Sequence, residues 1–256
     1  MVLKQFQESF FIKQSYKKHF QNIVIASTGR SGSTFLWNSL SYFFIKEYSR
    51  FSFNIENTNF KKIAYGSYKE NMNELNLNFI QKRLVSTVID WDSNINNSNI
   101  YKKKIIVKTH DIFNIDNPEI KYIFIFRDPL AILTSMLYKI DNNESSFISN
   151  HLRHLRSKYT INQIFEKDIL NYKSMSKSFI ENKTKQNILF IDFNSLKKSE
   201  EVLNDYLGFK ILLPELNDKE YHPSIAKLDP KLKQSLTETY DELRNCLVYE
   251  DNQVLK

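Results

Sequence analysis

Ile23-Val24-Ile25-Ala26-Ser27-Thr28-Gly29-Arg30-Ser31-Gly32-Ser33-Thr34-Phe35-Leu36-Trp37 changes character twice. It begins as an apolar, β-branched run of strand length. A Gly-Arg-Ser-Gly-Ser-Thr break follows. Apolar residues then return at helical spacing, with Leu36, Leu40, Phe43 and Phe44 on one face. The pattern predicts strand, tight loop, helix. The whole chain has only 4 glycines in 256 residues, far below the roughly 7% that is usual. Two of them stand in this loop. Glycine lets a backbone turn sharply and approach a ligand closely. The amides of Gly32, Ser33 and Thr34 are expected to point outward at the helix start, where the dipole favours an anion. Arg30 adds a full positive charge, and the hydroxyls add donors. A simple helix cap needs one Ser or Thr. It does not need an arginine between two glycines, so the loop reads as a phosphate cradle.

Three further strands are predicted outward from this one, at Lys104–His110, Lys121–Phe126 and Asn187–Asp192. Asp128 is a good helix cap and Pro129 a good first helical residue, so a helix should run on through Leu137. Helices are also expected over 75–91, 144–158, 161–181, 195–207 (stopped by Gly208) and from Asp229-Pro230 to about Cys246. Residues 1–21 read as an amphipathic lead-in, 49–75 as irregular and 92–99 as a loop. Strands alternating with helices imply an α/β fold: three layers, with a mainly parallel central sheet of four to five strands between helices, P-loop-like. With no repeat and no linker long enough to split the chain, residues 1–256 are expected to form a single domain.

Composition narrows the partners. Hydrophobic content of 41% and aromatic content of 14% suit a folded globule. No apolar run reaches membrane-spanning length, and the charged N-terminus lacks a signal-peptide core. The single cysteine, Cys246, excludes an intrachain disulfide and a cysteine metal site. The expectation is a cytoplasmic protein with no membrane and no nucleic-acid partner. The net charge of +7 is a diffuse lysine excess without a basic stripe; it suits steering of a polyanionic small ligand. No metal-ligand cluster is visible.

The loop is not a standard Walker A motif, which has Lys directly before its Ser/Thr. Ser33 stands there instead, and Arg30 supplies the charge from the other side of Gly32. Arg30-Ser31-Gly32-Ser33-Thr34-Phe35 resembles the 5′-phosphosulfate loop of sulfotransferases that use 3′-phosphoadenosine 5′-phosphosulfate (PAPS). A second segment, Phe124-Ile125-Phe126-Arg127-Asp128-Pro129-Leu130 with Ser135, resembles that family's 3′-phosphate motif. Arg127 leaves a strand end on a forked side chain suited to phosphate. Ser135 lies roughly 9 Å along the helix axis from Pro129, so it can meet Arg127 only on the helix flank. The third constellation, Lys108-Thr109-His110, looks like the strand-end triplet that carries the catalytic base in the cytosolic branch of the family. A histidine near its unperturbed pKa of about 6.5 can take a proton at neutral pH, and an adjacent lysine can stabilise charge in the transition state.

The resemblance covers roughly residues 22–40 and 104–137. It implies PAPS as donor, adenosine 3′,5′-bisphosphate as product, no metal, and a small-molecule acceptor carrying a hydroxyl or amine. It makes His110, Lys108 and Arg30 the catalytic candidates. Gly29, Arg30, Ser31, Gly32, Ser33, Thr34, Phe35, Arg127 and Ser135 become the nucleotide-binding candidates. The C-terminal Arg-Lys-Gly of the cytosolic enzymes is missing, and Arg244 and Lys227 are the basic residues that could replace it. His151 and His154 read as members of a charged helical face. Two other classes compete: a P-loop kinase or triphosphatase, which would need Lys after Gly32 and a strand-closing Asp for Mg²⁺, and a non-catalytic nucleotide-binding protein. The acceptor pocket is expected to be shaped by residues 49–100 and 140–181.

Overall fold

The computed structural model describes residues 22–48, 89–91, 106–113, 117–213 and 223–247. The expectations for 1–21, 49–88, 92–99 and Lys104-Ile105 lie outside these residues. Five strands form one sheet: β1 (Asn22–Ser27), β2 (Ile89–Trp91), β3 (Ile106–Thr109), β4 (Ile120–Phe126) and β5 (Ile188–Asp192). Their order is β2-β3-β1-β4-β5, and every pairing is parallel. The described helices are α1 (Ser33–Tyr48), α2 (Pro129–Asp141), α3 (Ser145–His154), α4 (Tyr172–Ile180), α5 (Glu200–Leu207) and α6 (Pro230–Arg244).

Both faces of the sheet are covered, which explains why its strands read as continuous apolar runs. Side chains alternate between two cores. Ile23, Ile25, Ile123, Ile125, Leu189 and Ile191 pack against α1 and α5. Val24, Ala26, Tyr122, Phe124, Phe126 and Phe190 pack against α2, α3, α4 and α6. This is the three-layer α/β architecture that the alternating pattern predicts.

Several boundaries differ from expectation. Residues 89–91 pair with β3 as a strand, so the helical pattern predicted over 75–91 does not reach Trp91. The helix expected over 144–158 stops at His154, where Arg156 turns left-handed with φ 51°. The one expected over 161–181 is a short 3-10 turn at Ile161–Gln163 followed by α4. Asp168 causes the break: its carboxylate accepts from the amides of Tyr172 at 2.9 Å and Lys173 at 2.8 Å, starting the helix afresh. Likewise Asp192 accepts from Asn194 N, giving a 3-10 turn over Phe193–Ser195, and α5 begins only at Glu200.

Parallel strands put all their C-terminal ends on one edge, where ligands of open α/β sheets bind. β1 is central, with β3 and β4 on either side. Ala26 is level with both Thr109 and Phe124, and Ser27 with Ile125. The loop after β1, His110 after β3 and Arg127 after β4 therefore emerge side by side.

Candidate functional site

The loop from Thr28 to Gly32 is wound tightly. Arg30 and Gly32 have φ of 62° and 82°, the left-handed region in which a non-glycine residue such as Arg30 is uncommon. Ser31 N donates to Thr28 O at 3.3 Å, and the hydroxyls of Thr28 and Ser31 bond each other. Ser31 is fully buried, so its hydroxyl braces the turn rather than facing outward. Leu36 N donating to Gly32 O at 3.2 Å opens α1. The amides of the first helical turn have no partner within the helix. Phe35 belongs to the core, edge-on to Phe193 at 6.0 Å.

Both loop glycines are explained by protein side chains. A Cβ on Gly29 would lie 2.8 Å from Leu155 and 3.2 Å from His151 Nε2. A Cβ on Gly32 would lie 2.1 Å from the ring of Phe193. The close approach that the sequence assigned to a ligand is thus made, at these two Cβ positions, by His151, Leu155 and Phe193.

The two arginines converge. Arg30 reaches over the loop and donates from Nη2 to Ser135 Oγ at 2.8 Å, with its guanidinium 5.1 Å from the Phe147 ring centre. Arg127 is buried, with its guanidinium 5.2 Å from the Phe193 ring centre. Ser135 therefore links to the loop arginine, across 105 residues of chain. Burial lowers the pKa of Arg30, and the charge of Arg127 lowers it further. Two cations held close in a partly desolvated place favour an anion. Arg30 Nε is a buried donor with no hydrogen-bond partner among the described residues. These features fit a phosphorylated ligand.

His110 follows β3 and turns back over β1. Its Nδ1 donates to the Ser27 carbonyl at 2.9 Å, with Ser27 Oγ at 3.2 Å. A carbonyl can only accept, so the proton is on Nδ1 and the lone pair on Nε2. Burial lowers the pKa of His110 to about 3, helped by the charge of Lys108, so the ring does not keep the value near 6.5 at which the sequence expects it to act as a base. Lys108 is itself buried on the α1 side of the sheet, the side shared by Ile106.

A cavity of about 260 Å³ opens beside this histidine. Thr28, Gly29 and His110 line it, and Ile112, Leu155, Leu170 and Met175 supply apolar wall. At the rim the guanidinium of Arg156 pairs with Asp111 at 3.0 Å. Asn171, left-handed at φ 53°, donates to Leu155 O at 2.8 Å and ties α4 to the end of α3.

Sequence reasoning missed His151. It turns inward, not to a charged surface, and its ring lies 5.9 Å from that of His110 in an edge-to-face arrangement. The signal was available: Ile148, Leu152 and Leu155 form the buried stripe of α3, and position 151 falls on that face at i+3. His154 does remain exposed. Of the basic residues considered for the missing C-terminal motif, Arg244 ends α6 with its charge near Asp192 and Tyr240. Lys227 ends a 3-10 turn outside the site.

Among the described residues no group of three His, Cys, Asp or Glu could hold a metal, and no helix is long and apolar enough to cross a membrane. A search of curated proteins finds no match. A family model described as a sulfotransferase domain matches residues 20–204, from the start of β1 into α5. That span contains the loop, the Lys108-Thr109-His110 triplet and the Arg127–Ser135 segment, and it exceeds half the chain; the protein belongs to the sulfotransferase family and is an enzyme of sulfuryl transfer.

Proposed function

We propose that this protein moves the sulfuryl group of PAPS to a hydroxyl or amine of a small-molecule acceptor, with His110 as general base. The observation that carries the reading is the bond from His110 Nδ1 to the Ser27 carbonyl at 2.9 Å. It leaves the Nε2 lone pair available in a neutral ring, so His110 can take the acceptor's proton without first losing one. Arg30 and the amides of Gly32, Ser33 and Thr34 would hold the 5′-phosphosulfate, on a loop shaped by Gly29, Ser31 and Phe35. Arg127 and Ser135 would hold the 3′-phosphate, and the Arg30–Ser135 bond supports treating both halves as one anion site. Lys108 would balance negative charge growing on the leaving oxygen. When bound, PAPS supplies an activated sulfuryl group, passed in line to the acceptor with release of adenosine 3′,5′-bisphosphate. The cavity beside His110 suits an acceptor with an apolar body and a polar edge.

The test is sulfate transfer from labelled PAPS to a panel of phenols, alcohols and amines. A base of this kind contributes about 10²–10⁴-fold, so His110→Ala should lose that factor in kcat while still binding adenosine 3′,5′-bisphosphate. An accepted substrate that the variant turns over as fast as wild type would remove His110 from the role. A larger thermal shift with ATP and Mg²⁺ than with adenosine 3′,5′-bisphosphate would favour a P-loop kinase instead.

A further inference from the structure

We infer that His151 is a second imidazole of the reaction site, donating a hydrogen bond from Nε2 to the sulfuryl end of the donor; this rests on the PAPS reading above. Three independent observations place it there. First, Nε2 of His151 is buried and has no hydrogen-bond partner among the described residues. An unpaired buried polar atom costs stability, so a neighbour that arrives with the substrate accounts for its retention. Second, the atom is aimed at the phosphosulfate loop. It would stand 3.2 Å from a Cβ on Gly29, the residue just before Arg30, and Gly29, unlike His151 itself, lines the cavity beside His110. Third, the ring is held in place. Phe147, one turn earlier on α3, stacks on it with centroids 6.0 Å apart and planes within 5°, and His110 meets it edge to face at 5.9 Å.

The chemistry of the surroundings selects the role. His110, Arg30, Lys108 and His154 all oppose protonation of His151, and burial opposes it most, so its pKa falls to about 2 and the ring stays neutral. Sulfuryl oxygens only accept hydrogen bonds, so the tautomer that satisfies Nε2 carries its proton there. His110 presents the opposite tautomer, with its lone pair on Nε2. The pair thus offers one acceptor for the incoming hydroxyl proton and one donor for the group being transferred.

The test separates the sulfuryl group from the rest of the nucleotide by direct binding, with no acceptor present. Affinities for PAPS and for adenosine 3′,5′-bisphosphate are measured by calorimetry for wild type, His151→Ala and His151→Gln. His151→Ala should weaken PAPS about tenfold and leave adenosine 3′,5′-bisphosphate within twofold. The Gln variant places an amide N–H near the position of Nε2 and should recover part of the loss; its melting temperature controls for damage to α3. Equal weakening toward both ligands, or none toward PAPS, overturns the inference. If wild type binds neither ligand, the PAPS reading itself fails, an outcome distinct from failure of the His151 role.

Discussion

Arg127 shows how one residue can serve the fold and the proposed nucleotide site together. Its carbonyl accepts from the Tyr172 hydroxyl at 3.1 Å, tying the end of β4 to α4, while its guanidinium lies against the face of Phe193. The backbone half of that role survives any side-chain change, so Arg127→Ala should fold. Its expected defect is selective. Losing a charged bond to phosphate costs about 1.5–3 kcal/mol, and that loss should appear toward adenosine 3′,5′-bisphosphate but not toward adenosine 5′-phosphosulfate, which lacks the 3′-phosphate. Thermal shifts with the two ligands would read the difference. The proximity of Arg30 sharpens the measurement: with Ser135 bonded to Arg30, an equal loss toward both nucleotides would mean that the two arginines hold a single phosphate. Residue types made this cluster legible. Arg30, Lys108, His110, Arg127 and Ser135 each stand where a strand ends or a helix flank faces the same edge. What was not legible is the use of the glycines, because the rings and methyls that fill their Cβ positions come from α3 and from the turn after β5, far away in sequence.

Elements were legible where periodicity decides them and illegible where one side chain does. β1, β4, β5, α1 and α2 are set by apolar runs, by caps such as Asp128 accepting from Leu130 N at 2.8 Å, and by core burial. β2 is three residues long, and pairing with β3 decides its state more than its own pattern does. α4 starts because of Asp168, whose carboxylate replaces the missing partners of two first-turn amides. Burial raises the pKa of Asp168 even though those amides and Lys173 favour its charged form. Removing a cap costs about 0.5–2 kcal/mol, so Asp168→Ala should lower stability by that order in chemical denaturation. α4 also carries Ser174 and Met175 on the cavity wall, with Leu170 and Asn171 just before it. The same variant should therefore raise the acceptor's KM more than it alters adenosine 3′,5′-bisphosphate affinity. Unchanged stability would show that Asn171 alone holds the helix start through its bond to Leu155.

At the scale of the molecule, parallel order gathers segments distant in sequence onto one edge, and the alternation of strands and helices made that edge predictable without revealing which strands are neighbours. Gathering so many cationic and imidazole groups there has a consequence for stability. His110 and His151 are both half-buried, and desolvation by their surroundings lowers their pKa values to about 3 and about 2 against 6.5 in the unfolded chain. Between those limits the unfolded chain binds protons that the folded one refuses, so stability rises with pH across the window. The contribution is fully present above 6.5 and is lost as pH falls below it. Each histidine should remove about 1 kcal/mol between pH 6 and pH 5. Asp168 and Asp192 work in the opposite sense, since burial raises both from 3.8, over a window that opens at that value and extends upward. Denaturant titrations at pH 7.5, 6.5, 6 and 5 should give a midpoint nearly constant above pH 7 and falling steeply below pH 6.5. His151→Gln removes one titrating group and should roughly halve the acid slope. A wild-type midpoint that is flat from pH 7 to pH 5 would mean that both imidazoles accept protons freely in the folded state, and that the neutral pair on which the proposed mechanism relies does not exist.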